Sequence, residues 1–361
     1  MEFIYTMKNQ GREVCIDQVR EPEEIVVIPE KLEHLPVTEL GAYALAGSGA
    51  EEVYLPSKLQ KIGAYAFYNC EKLKKISCSS RVNDLGTGVF AGARDVEALD
   101  FTLFEGEKSC LKDLLSELRQ TLRVRIVEQK AEGREARLIF PEYFEESVEN
   151  TPARILFIET HGCGHRYRYC FVNRQFQYKD YDALFPHVKV QEPTELVTEL
   201  ALGRLMYPYG LTEKHRLMYL EYVAEHWLDA GKLLIEADRL GRRQVTNLDA
   251  GRLPWLVEEV IGAADGLAVP EEKLRKYIEL AQQASDTEMV SWLMNFRHRK
   301  RMEAEEQTVS GPERTAEERA VPGPERTAEE RNVVEPERTA EGKMGTGKSS
   351  CIGKKKRRFE L

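Results

Sequence analysis

One phrase occurs three times between residues 40 and 101, and it restricts the fold more than anything else in the chain. Leu40-Gly41-Ala42-Tyr43-Ala44-Leu45 returns as Ile62-Gly63-Ala64-Tyr65-Ala66-Phe67 and again as Leu85-Gly86-Thr87-Gly88-Val89-Phe90. The glycines lie 22 and 23 residues apart, and a short apolar run follows each phrase: Val53-Tyr54-Leu55, Ile76-Ser77-Cys78 and Leu99-Asp100-Phe101, at intervals of 23. A fixed period in the twenties means stacked coils with one short strand per coil. No coil can bury its apolar side alone, so neighbours share a core and the ends need caps. The pattern dictates an architecture and is silent on chemistry.

Alternation along each strand sorts the side chains. Val53, Ile76 and Leu99 fall into one inward ladder, with Leu55, Cys78 and Phe101 in the next, and Tyr54, Ser77 and Asp100 point outward. Phe67 and Phe90, with Leu45 in the first copy, are the wedges of the coil interior. Gly41, Gly63 and Gly86 are read as sites of sharp turns, where a residue without Cβ fits.

This wording resembles the BspA-like leucine-rich repeat family. The resemblance rests on Pro36-Val37-Thr38-Glu39-Leu40-Gly41, Tyr54-Leu55-Pro56, Ile62-Gly63-Ala64-Tyr65-Ala66-Phe67-Tyr68-Asn69-Cys70 and Leu73-Lys74-Lys75-Ile76, and covers roughly residues 20–101. The third copy departs from it, with Thr87-Gly88-Val89 in the middle of the phrase and Ser79 where a proline would follow the strand. The resemblance implies a protein-interaction scaffold with no catalytic residues to carry over. Many relatives look like surface proteins.

With 361 residues the chain has room for two or three domains. The expected fold is α+β: a short leucine-rich repeat solenoid with an N-terminal hairpin cap over 1–101, an α+β region over 102–210, an all-helical domain over 211–300, and a disordered tail over 301–361. The cap reads as Phe3-Ile4-Tyr5 and Val14-Cys15-Ile16 around an Asn9-Gln10-Gly11 turn, with Ile25-Val26-Val27-Ile28 as a buried strand. Past Phe101 a helix is expected over about 108–122, then strands at 124–127 and 136–140 around a Glu132-Gly133 turn, and a further strand at 155–158. Leu217, Leu220, Val223, Ala224 and Trp227 mark one helix, with others near 230–240, 253–263, 271–284 and 286–298, the last capped by Asp286. The segments around Ile278-Glu279-Leu280-Ala281 and Glu288-Met289-Val290-Ser291-Trp292-Leu293 resemble the helix pairs of ankyrin-like repeats. In the tail a Pro-Glu-Arg-Thr phrase recurs every 12 residues, too charged and too poor in apolar groups to offset chain entropy.

A net charge of −9 argues against wholesale binding to nucleic acid or anionic membranes. No apolar run approaches the length needed to span a bilayer. Seven cysteines without a regular framework, and an N-terminus without a basic start and long apolar stretch, point to the cytoplasm.

Several motifs invite chemistry. Residues 342–349, Gly-Lys-Met-Gly-Thr-Gly-Lys-Ser, satisfy the phosphate-loop pattern, yet a charged repeat precedes them instead of a buried strand, so they read as Gly/Lys-rich tail. His161, Cys163 and His165 would share one face of a strand and suit zinc, although the intervening glycines suggest a turn and no fourth ligand is evident. Arg166-Tyr167-Arg168-Tyr169-Cys170-Phe171 interleaves cations and rings; alternation accounts for it with Tyr167, Tyr169 and Phe171 inward and the arginines in water. Glu145 with Glu149, or Asp180 with Asp182, read as solvated faces, and the basic run Lys354–Arg358 reads as a solubility feature.

The function expected is a non-catalytic protein-interaction scaffold that uses the exposed sheet face of the repeats, with Glu52, Tyr54, Lys75, Ser77 and Asp100 as candidate binding residues. The alternative is an enzyme or metal-binding module centred on 140–185 with the repeats as a docking platform. Neither a cofactor, a membrane, a specific nucleic acid nor a small-molecule ligand is expected; the partner is a protein.

Overall fold

The computed structural model describes residues 1–104, 109–129, 134–150, 155–240, 246–262 and 269–309. The Glu132-Gly133 turn, the Pro-Glu-Arg-Thr repeats, the phosphate-loop look-alike at 342–349 and the basic run at 354–358 lie outside them.

The repeat phrases build a β-solenoid with a sheet on each of two sides. The chain enters as an antiparallel hairpin, β1 (Glu2–Lys8) and β2 (Glu13–Arg20), turning over Asn9–Gly11. The strands β3 (Ile25–Val27), β4 (Lys31–Leu32), β5 (Leu35–Leu40), β6 (Glu52–Tyr54), β7 (Lys61–Ile62), β8 (Lys75–Ser79), β9 (Asp84–Leu85) and β10 (Ala98–Leu103) follow. One sheet runs β1-β2-β5-β7-β9, so the hairpin caps the first coil by pairing β2 parallel to β5. The other runs β3-β6-β8-β10 and does not stop where the sequence period ends. It continues into β11 (Leu122–Glu128), parallel to β10, and β12 (Glu135–Phe140), antiparallel to β11.

The register places Val26, Val53, Ile76, Leu99, Val124 and Leu138 in one row across six strands. Each is buried, and Cys78, Phe101 and Ile126 form the next inward row. Phe67 and Phe90 stack inside the coils, 5.3 Å between centroids and 3° from parallel. In β3 only Val26 is buried, because this is an edge strand of a sheet with one face in the core; Ile25 and Val27 stand 52% and 55% exposed, against the sequence expectation of a strand buried throughout.

The repeat glycines have a different task from the one expected. None of Gly41, Gly63 and Gly86 has a left-handed backbone. They sit where successive coils touch: a Cβ on Gly63 would lie 2.4 Å from the Ala42 nitrogen, and one on Gly86 2.3 Å from that of Ala64. The left-handed corner falls two residues later, at Tyr43 (φ +59°), Tyr65 (φ +56°) and Gly88 (φ +62°).

Beyond the solenoid come α1 (Leu111–Glu117), the two-stranded β13 (Phe144–Asn150) and β14 (Ile155–His161), the short α2 (Gly164–Arg168), and the small hairpin β15 (Phe171–Val172) and β16 (Gln175–Phe176). Helices α3 (Tyr178–Ala183), α4 (Phe185–Gln191), α5 (Thr194–Met206), α6 (Glu213–Glu225) and α7 (Trp227–Leu240) follow. A helical stretch runs over Leu253–Trp255 and Leu256–Ile261, and the chain continues into Glu271–Gln283 and Thr287–Val309. Asp286 caps the last of these through the Met289 amide at 2.9 Å, and that helix runs through 301–309.

Two sequence expectations fail here for one physical reason. The 166–171 segment is not an alternating strand: the tight loop at Gly162 and Gly164 lets the chain wind into α2. Tyr167 is buried, Tyr169 is exposed and Arg168 lies fully inside. The Arg168 guanidinium donates to the carbonyls of Leu115, Leu118, Gln120, Pro141 and Gly164 at 2.5–3.1 Å, and so satisfies the C-terminal carbonyls of α1. Burial pushes its pKa down to about 10. Asp182 likewise belongs to no solvated face. It pairs with Arg204 through two bonds of 2.9 and 3.0 Å and accepts a third from the Tyr219 hydroxyl at 2.9 Å, joining α3, α5 and α6 in the core. In both places an ionic side chain is buried because a complete set of partners awaits it. On α6 the inward stripe is His215, Tyr219, Tyr222 and Val223, while Leu217 is exposed.

Candidate interaction face

All five candidate face residues lie on the outward side of the second sheet, in two adjacent rows. One row reads Ile25, Glu52, Lys75, Ala98, Arg123; the other reads Val27, Tyr54, Ser77, Asp100, Arg125, Arg137. Strand pleating alone puts them there, because each follows or precedes a buried ladder residue. Glu52, Tyr54, Lys75, Ser77 and Asp100 are all half-buried.

Their polar groups are already tied together. The Tyr54 hydroxyl donates to Glu52 at 2.5 Å, Lys75 pairs with Asp100 at 2.8 Å, and the Lys75 ammonium stands 5.7 Å from the Tyr54 ring centre. Burial and then the Glu52 bond hold the Tyr54 phenol above its ordinary pKa. For Lys75, burial pulls the pKa down, but the bond and charge of Asp100 outweigh it and the ammonium ends above its usual range. The result is a stiff patch of two carboxylates and one ammonium around one ring, with exposed Ile25 and Val27 along its edge.

The far end of the same face is closed. Arg123 makes a double bond-pair to Glu199 of α5, both at 2.8 Å, and Glu199 also accepts from Thr246 and the Asn247 amide. Arg137 reaches the Asn247 carbonyl at 2.8 Å and Asp249 at 2.7 Å, and Gly203 of α5 packs against its Cβ. Thus α5 and the 246–249 loop lie over β11 and β12, and among the described residues the open stretch is β3 to β10, the part that carries the five residues. The repeat period ends at Phe101 and so does not point to the arginine continuation of the rows, although Arg123 and Arg125 alternate with Val124 and Ile126.

The metal-like trio does not converge. His161 ends β14, stacked on Phe144 at 4.7 Å, with its Nε2 3.5 Å from Glu146 and 3.9 Å from Glu159. Cys163 is buried and turned toward Glu192 at 3.2 Å; burial, then that bond, push its thiol up to about 12. His165 lies on α2 against Tyr143 and Tyr169. Among the described residues no three His, Cys, Asp or Glu side chains are grouped to hold a metal ion. Glu145 pairs with Arg119 at 3.0 Å. No described helix is long and apolar enough to cross a membrane.

Comparison with known proteins places the fold in context. Residues 26–113 match the BspA type leucine rich repeat region in six copies. Among solved structures the chain is similar to a leucine rich cell surface protein from Faecalibacterium prausnitzii, at 15% identity over 34% of this chain and 40% of that one, with a TM-score of 0.24. It is also similar to a leucine rich repeat protein of T. pallidum, at 19% identity over 29% of this chain and 73% of that one, with a TM-score of 0.21. The chain thus spans about two fifths of the length of the first of these. No curated protein matches it. The repeated phrase, the stacked coils and the family match agree: residues 26–113 form a solenoid that matches the BspA type leucine rich repeat region.

Proposed function

We propose that the protein is a non-catalytic interaction scaffold that docks a protein partner on the open stretch of its second sheet, through Glu52, Tyr54, Lys75, Ser77 and Asp100. A leucine-rich solenoid is a fold typical of interaction modules, and one observation carries the finer reading. The part of the face left uncovered by the described residues coincides with the five residues, while its other end is clamped beneath α5. Tyr54 is the centre of the patch: a large ring with a polar tip, held in place by Glu52, gives contact area at little entropic cost. Ile25 and Val27 add an apolar edge. We further place the protein in a reducing, cytoplasmic setting, supported by six free, buried cysteines among the described residues.

The test is capture of a partner by the full chain and by a Tyr54→Ala variant. The variant removes no core atom, so it should keep the parent melting temperature and weaken binding by about 1–2 kcal/mol. A variant that binds as tightly as the parent, with affinity following salt concentration and tail length, would refute the sheet-face reading.

A further inference from the structure

The hairpin of β13 and β14 stands apart from both solenoid sheets. Each strand has seven residues, and the pair forms its own sheet, bonded to no third strand among the described residues. At about 3.3 Å per residue it is roughly 23 Å long. Its base is held to the rest of the fold by Arg119 on Glu145 and is closed within the hairpin by the stack of Phe144 on His161. A two-stranded ribbon leaves backbone donors and acceptors unpaired along both edges, and a strand edge of this kind is a template for another chain.

The side chains are wrong for a structure meant to stand in water. Along β14, Phe157 is 39% and Ile158 64% exposed, on opposite faces. The two strands, Phe-Glu-Glu-Ser-Val-Glu-Asn and Ile-Leu-Phe-Ile-Glu-Thr-His, contain four glutamates and neither lysine nor arginine. Two of those glutamates, Glu146 and Glu159, stand directly opposite each other in the register. Like charges so placed destabilise a strand pair. On that face the order along the ribbon is the Phe144–His161 stack, then the two carboxylates, then Phe157.

We propose that the free edge of β14 receives an extended segment of a partner protein, added as a third strand, with a lysine or arginine opposite Glu159 and apolar residues opposite Phe157 and Ile158. Backbone bonds along the edge supply affinity, and side chains at alternate positions supply selectivity. The cation stands next to Glu159, where the two carboxylates otherwise have the His161 ring nitrogen near them, at 3.5 Å from Glu146 and 3.9 Å from Glu159. Pairing with the same hairpin of a second copy does not fit this chemistry, because it would bring further glutamates to the edge, and an anionic membrane or nucleic acid is repelled for the same reason. The net charge of −9 also steers a basic segment toward the protein. This surface is separate from the sheet face around Tyr54 and stands or falls independently of it.

The experiment uses the full chain and a fluorescent peptide, Thr-Lys-Val-Val-Lys-Thr, which reads the same in either strand direction. Anisotropy should show saturable binding that weakens with salt, and hydrogen exchange at 157–160 should slow on addition. The double variant Glu146→Lys, Glu159→Lys should lose about tenfold or more in affinity for this peptide and gain a comparable amount for Thr-Glu-Val-Val-Glu-Thr. Tyr54→Ala should bind the basic peptide like the parent, and an unchanged melting temperature checks that the reversed variant is folded. Equal affinity of parent and reversed variant for the basic peptide overturns the proposal. So does equal binding of Thr-Lys-Gly-Gly-Lys-Thr, which keeps the charge and gives up the strand.

Discussion

Gly63 offers the sharpest test of how the coils are held. Its backbone is not left-handed, so a turn requirement would make Gly63→Ala nearly neutral. Close approach predicts the opposite. The new Cβ would lie 2.4 Å from the Ala42 nitrogen, 2.5 Å from the Gly41 carbonyl carbon and 2.8 Å from its oxygen. All three are backbone atoms, so no side chain can swing aside, and the two coils are pinned at this seam by Gly63 N–H to the Leu40 carbonyl at 2.7 Å and Tyr43 N–H to the Ala64 carbonyl at 3.1 Å. Overpacking a core by one methylene typically costs about 1–3 kcal/mol. With rigid neighbours on the clashing side, Gly63→Ala should reach the top of that range or exceed it, near ~3 kcal/mol, or a fall of roughly 4–5 °C in melting temperature for a unit of this size. Gly49 is the control: nothing lies within 4 Å of its would-be Cβ and its backbone is also outside the left-handed region. Gly49→Ala should therefore be neutral or stabilise by up to about 1 kcal/mol, through the unfolded chain. Paired urea melts followed by circular dichroism read both. If the two substitutions cost the same, or Gly63→Ala costs under about 1 kcal/mol, the seam is not a close contact and the account of the repeat glycines is wrong.

Two further outcomes are expected. Asp182→Ala leaves Arg204 buried without its carboxylate and should cost about 3–5 kcal/mol in a urea melt, whereas a double replacement by apolar residues of similar volume should recover most of the loss. Stability should also fall as pH rises above about 8.5, the ordinary thiol range, because burial raises Cys15 to about 11 and Cys110, Cys163 and Cys170 to about 12 in the fold. The unfolded chain releases those protons first, so the stabilisation is complete below that pH and is lost as it rises toward the folded values; urea midpoints at pH 7.5 and 10 check the sign.

The solenoid was legible because its contacts are written locally. A residue such as Ile76 has its neighbours, Val53 and Leu99, one period away on either side, so periodicity and alternation suffice to bury it and to turn Ser77 outward. The same logic reached the five face residues. It could not reach Arg168, whose acceptors Leu115, Leu118, Gln120 and Pro141 come from segments 27 to 53 residues away with no repeating register between them. Nor could it reach Asp182, since an aspartate on a short helix looks solvated until Arg204 and Tyr219 arrive from two other helices. Polar burial is decided by whether partners are complete, and that is a property of topology, which alternation in one segment does not encode.

One signal was in the sequence and says something about the repeat itself. Three copies amount to an alignment within a single chain, and where they differ the backbone shows through. Gly88 occupies the place of Tyr43 and Tyr65, which marks that corner as left-handed; both tyrosines do adopt it, at φ +59° and +56°. For an L side chain the conformation costs about 1–2 kcal/mol, which glycine escapes. Ring contacts offset part of that cost: Tyr43 and Tyr65 stack at 5.3 Å, and Tyr68 meets both edge-on at 6.2 and 5.9 Å. In the third copy the Tyr65 ring lies over Gly88, where a Cβ would come within 2.7 Å of it. The stack of corner rings therefore ends at the copy that has a glycine to receive it, and the apparent decay of the phrase at Thr87-Gly88-Val89 is the geometry that closes the row.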